Sequence, residues 1–300
     1  MKVSVLIMSS DANPSLRNID AFKDTVIKYC NDNDILQNEY EFFIYRFGED
    51  DCIYKDDVYS NLNYIIYKGQ ESIYHTFEKT VLALEYVYNT YKPDVYVRLN
   101  ISTYFNVRLF DKIVSDLDNN YVYCNKVNSF FNPTSSFFMD VYPRGDFMVF
   151  FEHQCLSILK HGKDLMYFGG VSTGVDHVDD CLIGVCLIKD VPDVYKYIKT
   201  FVYNYMPNMC IDTEKFDVCA ISTRLKTVPP NMKSGYSWKD NEYRLFDVNK
   251  FHECHNIIEG VDYSDVKIED VITNVTYEGI YYKLFSVDLC GYETLRDSRN

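Results

Sequence analysis

Along the first half of the chain, segments with the hydrophobic pattern of strands alternate with segments that have the pattern of helices. Four segments rich in β-branched and aromatic residues predict strands, at 2–9, 40–47, 62–68 and 95–99. Two longer segments carry apolar residues at steps of three and four, which predicts helices over 15–31, with Ser15 as N-cap, and over 72–91. Alternating strand and helix is typical of an α/β protein with a mostly parallel central sheet flanked by helices.

The second half is less regular and predicts a smaller, irregular C-terminal part. Its expected elements are, in order, a strand near 121–127, a loop at Pro133, a strand and helix over 147–162 that stop at Gly162, a helix over 181–190, a helix over 193–206, and a tail of short strands and turns from 211. No internal repeat or linker divides the chain, so we expect one domain over 1–300.

The net negative charge of the chain argues against some classes of binding partner. The chain has 300 residues, 47% of them hydrophobic, and a net charge of −14 from 30 basic and 44 acidic residues. Such a chain repels nucleic acid and anionic membranes as a whole, so we expect no nucleic-acid partner. An anionic ligand therefore requires a local group of cations or a metal ion.

Membrane-span, signal-peptide and disulfide patterns bear on where in the cell the protein is located. No stretch reaches the ~18 apolar residues of a membrane span, and residues 3–8 predict a first strand better than a signal peptide. The ten cysteines are scattered and include no CxxC pair, which is typical of reduced thiols. We expect a cytoplasmic protein without a membrane span.

Two short patterns resemble ligand motifs but lack an essential feature, and a third motif is missing. The segment GGVSTG at 169–174 has the spacing of a P-loop, yet Val175 stands where the phosphate-binding lysine is required. No GxGxxG follows the first strand, which argues against a nicotinamide dinucleotide. His252 and His255 can share one helix face, but this is not a standard zinc pattern, and exposed histidines on a C-terminal helix are the favoured interpretation.

Polar residues end the strand at 95–99, where ligands usually bind in α/β proteins. They are Arg98, Asn100, Ser102 and Thr103. The alternative is a turn whose hydroxyls cap the next helix. Lys79, in the helix before this strand, is either a surface lysine or one end of an anion site.

Two adjacent acids, Asp179 and Asp180, precede the apolar helix at 181–190. An acid at a helix N-terminus accepts backbone N–H bonds and meets the positive end of the helix dipole, so capping explains one of them. A carboxylate here is also a candidate general base toward an alcohol. Spacing alone favours capping.

The order of these residues resembles the GT-A glycosyltransferases related to Fringe and the galactosyltransferases. Lys79-Thr80 matches the family's Lys-Thr pair, and Arg98-Leu-Asn-Ile-Ser102 matches a variant, seen in bacteria and large DNA viruses, that replaces the metal-binding Asp-x-Asp. RGDFMVFFEHQCLSIL is similar to the family's Gly-containing strand before a helix, and HVDDCLIGVCL to its Asp-Asp-x-x-Ile-Gly motif. The tail EYRLFDVNKF, with Arg244 and Asp247, also resembles the family.

The resemblance implies transfer of a sugar from a nucleotide-sugar donor, a UDP- or GDP-sugar, to a hydroxyl of a glycan or protein-linked acceptor. It implies a GT-A-like domain with a nucleotide-binding half over about 1–105. The acceptor-binding half and a C-terminal extension then occupy about 106–300. A catalytically inactive sugar-binding or scaffold protein is the alternative, supported by the missing Asp-x-Asp, and a nicotinamide-dependent oxidoreductase is a third.

The resemblance and the strand ends together suggest roles for particular residues. Expected at the donor are Ser9, Asp11, Lys79, Arg98, Asn100 and Ser102. Expected at the acceptor are Gly145 and Asp146, and expected as the catalytic base is Asp180, with Asp179 as its rival. A divalent metal, manganese or magnesium, has Asn100 and His252 as candidate ligands; otherwise Arg98 and Lys79 replace its positive charge.

Overall fold

The computed structural model describes residues 1–32, 36–72, 75–132, 137–166, 178–190, 197–228 and 242–273. The pattern GGVSTG at 169–174 therefore lies outside the described residues. Within the described ranges, no helix combines the length and the apolar character needed to cross a membrane. The eight cysteines whose side chains are described are free thiols.

Fourteen strands are described, and nine of them form one central sheet. The strands are β1 (Lys2–Met8), β2 (Glu39–Gly48), β3 (Cys52–Lys55), β4 (Leu62–Lys68), β5 (Val95–Asn100), β6 (Thr103–Phe105), β7 (Val122–Cys124), β8 (Val127–Asn132), β9 (Phe137–Pro143), β10 (Phe147–Phe151), β11 (Ile198–Phe201), β12 (Tyr203–Tyr205), β13 (Ser222–Arg224) and β14 (Ile272–Thr273). The central sheet has the order β14-β11-β7-β10-β5-β1-β2-β4-β3. Two smaller sheets are β12-β13-β6 and β8-β9.

Most strands of the central sheet run in one direction. β1 pairs in parallel with β2 and β5, β2 with β4, and β7 with β11. β10 is antiparallel to both β5 and β7, so β7 and β11 point the same way as β1. Only β3, β10 and β14 oppose this direction among the nine described strands. The predicted α/β class with a mostly parallel sheet is confirmed.

Helices cover this sheet on both faces. They are α1 (Asn13–Phe22), α2 (Lys28–Asp32), α3 (Thr76–Thr90), α4 (Val107–Ile113), α5 (Glu152–Leu165), α6 (Val178–Asp190), α7 (Phe246–Glu259) and α8 (Ile268–Val271). A π-helix, Lys23–Ile27, joins α1 to α2, and 3-10 turns occupy Val114–Asp116 and Glu242–Leu245.

The central strands are apolar on both sides because each face packs against helices. Val5 and Val97 belong to one buried cluster, together with Phe251 of α7. Leu6, which follows Val5, and Tyr96, which precedes Val97, point to the opposite face. They belong to a second cluster with residues of α3, α5 and α6. Since helices cover both faces of the sheet, we expect a ligand at the carboxyl ends of the parallel strands.

The helix predicted over 193–206 is wrong for the described residues from 198 onward, which form β11 and β12. Six of the eight residues at 198–205 are β-branched or aromatic. β11 adds in parallel to β7 and pairs with β14, and Thr200 Oγ1 lies 2.6 Å from Thr273 Oγ1. Pairing between distant segments therefore outweighs the local helical spacing.

The predicted N-cap of the first helix is also wrong. α1 begins at Asn13 with Ala12 in the N-cap position, and Pro14 occupies the first turn, where its fixed φ suits a helix start. Ser15 lies inside the helix instead, and its Oγ is 2.8 Å from Ser10 Oγ.

Two further boundaries differ from the prediction. α5 continues through Gly162 to Leu165. A Cβ at Gly162 would lie 2.9 Å from Cγ2 of Val81 in α3. Glycine at this position permits α5 to pack closely against α3 and does not end the helix. The tail after 211 contains α7, a helix of 14 residues whose buried side chains include Phe251, Cys254 and Ile258.

Candidate functional site

The carboxyl end of β5 holds a buried ion pair. Arg98 is fully buried, and its guanidinium Nη2 contacts the carboxylate of Asp179 in the first turn of α6. The same nitrogen lies 3.2 Å from Sδ of Met8, the last residue of β1. Arg98 therefore joins the ends of the two central strands to α6.

Asp180 lies over the turn before β10. The backbone N–H of Gly145 donates a hydrogen bond to Asp180. A Cβ at Gly145 would lie 1.9 Å from Asp180 Oδ1 and 2.7 Å from Arg98 Nη1, so no side chain fits there. Arg98, Asp179 and Asp180, which we call the arginine–carboxylate group, are thus assembled from segments far apart in the sequence.

The pKa values of Asp180 and Arg98 are both raised, for different reasons. Burial, together with the adjacent charge of Asp179 and a hydrogen bond to it, raises the pKa of Asp180 well above its usual range, although Arg98 opposes this. Burial alone would lower the pKa of Arg98, but the charges of Asp179 and its other neighbours outweigh burial and raise it. Asp180 therefore retains its proton to a higher pH than an exposed aspartate, while Arg98 stays charged.

Lys79 lies near the end of β1 and is already paired. It is buried, and its Nζ donates to the backbone O of Ser9 at 2.7 Å and to Glu71 Oε2 at 2.8 Å. Glu71 Oε1 accepts from the backbone N of Phe47 at 2.7 Å. Burial lowers the pKa of Lys79, although Glu71 opposes this shift. Lys79 thus ties β1 to the segment before α3.

The other donor candidates lie at the ends of β1 and β5. Ser9 is buried and Asp11 is exposed just beyond β1. Ser102 is buried, and its backbone O accepts from the N of Leu225. Asn100 ends β5, and its N–H donates to the backbone O of Asp146 at 3.3 Å.

Four cations that sequence reasoning did not connect gather beside Asn100 and Asp146. They are Arg144, Arg224, Lys226 and Arg244, which we call the cation cluster. The resemblance drew attention to Arg244 alone. No local motif marks the others, because the antiparallel pairing of β13 with β6, and of β10 with β5, brings them together.

Hydrogen bonds hold the cation cluster in place. Arg224 is paired in register with Thr103, and its Nη1 donates to Thr103 Oγ1 at 3.0 Å. Arg244 Nε donates to Asp247 Oδ2 at 2.6 Å. Asp247 Oδ1 accepts from the N of Thr227, the residue after Lys226, at 2.9 Å. Asp247 thus holds Arg244 close to the segment that carries Lys226.

Arg144 belongs to the same region through Asp146, since Arg144 Nε lies 3.4 Å from Asp146 Oδ2. Burial lowers the pKa of Arg224 to about 10; Asp146 opposes this shift, while Arg244 and Arg144 add to it. Burial, and then the neighbouring arginines, lower the pKa of Lys226 to about 8. Positive charge is therefore in excess here, in a chain that is acidic overall.

The residues at the end of β5 do not fit a divalent metal. Asn100 Oδ1 and both carboxylate oxygens of Asp146 are buried without a hydrogen-bond partner among the described residues. Magnesium and manganese, however, prefer several oxygen ligands that include carboxylates, and Asp146 is one carboxylate beside Arg144 and Arg224. Over the described ranges, no three His, Cys, Asp or Glu side chains are arranged to hold a metal ion. His252 is exposed on α7.

Comparison with known proteins finds likenesses among solved structures. No protein-family model matches the sequence, and no curated protein matches it. Among solved structures, the chain is similar to a glycosyltransferase involved in the glycosylation of the major capsid of PBCV-1. The two are 10% identical, the similarity covers 87% of this chain and 100% of that chain, and the TM-score is 0.42. A likeness at this level carries no conclusion about activity, which must follow from the site itself.

Proposed function

We propose that the protein is a GT-A-type glycosyltransferase, which moves a sugar from a UDP- or GDP-sugar to a hydroxyl of a glycan or protein-linked acceptor. The observation that supports this most is the contact among Arg98, Gly145 and Asp180. These residues come from three of the motifs on which the sequence resemblance rests. Motifs that lie 35 or more residues apart meet at one end of the sheet, as a shared site requires.

The reaction sets two demands. The bond between the sugar C1 and the diphosphate oxygen breaks, so negative charge develops on the leaving group and must be stabilised by cations. The acceptor oxygen bonds to C1 and loses its proton, which a general base accepts if the configuration at C1 inverts.

Asp180 is our candidate for this base. It lies beside Asp179 and Arg98, and burial keeps its pKa above that of an ordinary aspartate. A carboxylate with a raised pKa is a stronger base once it is ionised. Asp179, which is paired with Arg98, then positions the arginine and holds it near Asp180.

On the donor side, Ser9 and Asp11 are the candidates for contact with the nucleoside. They lie at the carboxyl end of β1, next to Lys79. The diphosphate is then expected near Asn100 and Ser102, which follow β5. A nucleotide across the ends of adjacent parallel strands is the usual arrangement in α/β proteins.

A sugar-nucleotide-binding protein without turnover is the second candidate. Its support is the environment of Arg98, which is fully buried and paired with Asp179. A buried ion pair of this kind holds a fold together whether or not a reaction takes place. Such a protein binds UDP or GDP but transfers no sugar.

The test is transfer and hydrolysis of a panel of UDP- and GDP-sugars by the purified protein, compared with the Asp180→Asn variant. We expect the variant to lose about 10²- to 10⁴-fold in rate, the usual contribution of a general base. Asp190→Asn is the matched control, because Asp190 ends the same helix and forms peripheral ion pairs with Lys160 and His161.

Each outcome separates the candidates. Full activity in Asp180→Asn would remove Asp180 from the mechanism. Nucleotide binding by calorimetry without turnover of any donor would favour the binding protein, and neither binding nor turnover would refute both.

A further inference from the structure

The cation cluster has no role in the catalytic scheme above, yet its construction is that of a binding site. Arg224 is 8% exposed, and its Nε has no hydrogen-bond partner among the described residues. One side of its guanidinium is held by Thr103. The Nε–H of Arg224 is therefore available for a ligand. A buried charged donor without a hydrogen-bond partner costs free energy.

Its charge is also not balanced by the acids of the described residues. Asp146 and Asp247 are the acids that interact with Arg224, and they face four cations. Lys250 adds a further cation 3.3 Å from Asp247 Oδ1, with its other bonds made to backbone carbonyls. A compact polyanion would offset this excess of positive charge, as arginines do when they bind phosphate.

The position of the cluster indicates which anion it binds. Arg224 contacts Thr103, Leu225 donates to the backbone of Ser102, and Asn100 donates to that of Asp146. The cluster therefore lies against the 100–103 segment, where the donor's diphosphate is expected. Long polyanions are disfavoured by the net charge of −14.

We propose that the cation cluster binds the diphosphate of the donor directly and takes the place of a divalent metal ion. The identity of this ligand rests on the proposed function. Arg98 and Lys79, the cations expected for this role from the sequence, instead form ion pairs with Asp179 and Glu71. Nε and Nη1 of Arg98 have no hydrogen-bond partner among the described residues, but the charge of Arg98 is balanced by the adjacent acids. Arg144, Arg224, Lys226 and Arg244 supply the positive charge as the sugar–phosphate bond breaks.

The experiment is calorimetry with pyrophosphate, UDP and GDP in buffer containing EDTA. Lys226→Gln is the principal variant, because Lys226 is only half-buried. Arg144→Gln is a second variant at an accessible position, with 29% of its side chain exposed. Lys215→Gln is the control, since it removes the same charge from an exposed lysine that pairs only with Asp212.

We expect wild-type protein to bind pyrophosphate and one nucleotide without metal. Lys226→Gln and Arg144→Gln should each weaken both ligands about tenfold to a hundredfold, the usual effect of a lost charge-assisted hydrogen bond. Lys215→Gln should bind as wild type does.

The possible failures are distinguishable. Pyrophosphate binding that requires a divalent metal, or is equal in wild type and both cluster variants, overturns this inference. A nucleotide affinity that is the same in wild type and both cluster variants also overturns it but leaves the proposed function standing. Cluster-dependent binding of pyrophosphate without binding of either nucleotide supports an anion site and overturns the donor assignment.

Discussion

Arg98 and Arg224 are both buried, yet their surroundings differ in the sign of the excess charge. Arg98 faces Asp179 and Asp180, and its pKa is raised. Arg224 faces three other cations and two acids, and its pKa is lowered to about 10. The first arginine is neutralised within the protein, whereas the second is left for an external partner. A buried charge is therefore paired within the protein in one case, where breaking the pair is destabilising, and is our proposed ligand contact in the other.

The largest expected effect separates the two arginines by stability. Arg98→Met leaves Asp179 buried without its partner, so we expect the free energy of unfolding to fall by about 3–5 kcal/mol. Arg224→Met removes a cation from an excess of cations, and we expect a fall of about 1 kcal/mol or less. Urea denaturation of both variants measures this difference.

A control distinguishes the ion pair from packing. Adding Asp179→Leu to Arg98→Met should restore part of the stability, because the unpaired carboxylate is then removed. Equal losses in the two single variants would abolish the contrast between the arginines.

A second prediction concerns Gly145, which lies between the two regions. In Gly145→Ala, the added Cβ would meet Asp180 Oδ1 and Arg98 Nη1. We expect a loss of about 1–3 kcal/mol from overpacking and reduced glycosyl transfer because Asp180 must move. Denaturation and rate measurements on the same preparation give both values.

Gly260→Ala is the matched glycine control. Nothing lies within 4 Å of a Cβ at Gly260, and its φ is −83°. This variant should be close to wild type in stability and rate. If Gly145→Ala behaved the same way, the tight contact with Asp180 would not exist.

The smallest predicted effect is a pH dependence of the cation cluster. Lys226, which faces Arg224, Arg244, Arg144 and Asp247, has a pKa lowered to about 8. Below that pH the ammonium is charged and binds an anion; above it the charge is lost. We expect pyrophosphate affinity to fall about tenfold from pH 7 to pH 9 relative to Lys226→Arg, whose side chain stays charged.

Comparison with Lys226→Arg cancels the titration of pyrophosphate itself, which both proteins experience. Parallel pH profiles in wild type and Lys226→Arg would show that Lys226 does not contact the anion.

The candidate site was partly predictable. The polar end of β5 and the acids of α6 were visible as departures from apolar patterns, because functional groups interrupt otherwise regular elements. That Arg98 is paired with Asp179 was not visible, since residues 81 positions apart carry no local signal. The cation cluster escaped notice for the same reason, because Arg144, in the turn before β10, and Arg224, on β13, are far apart in the sequence.

Periodicity by itself determined the α/β class and most strands and helices, because the local spacing of apolar residues reflects which face is buried. Tertiary structure decided between the helical spacing of residues 198–205 and their β-branched and aromatic composition, since β11 pairs with β7 and β12 pairs with β13. It also decided which cations are neutralised and which remain in excess. Charge compensation depends on distances in space, and the chain order of Arg98, Arg224 and their acids does not contain those distances.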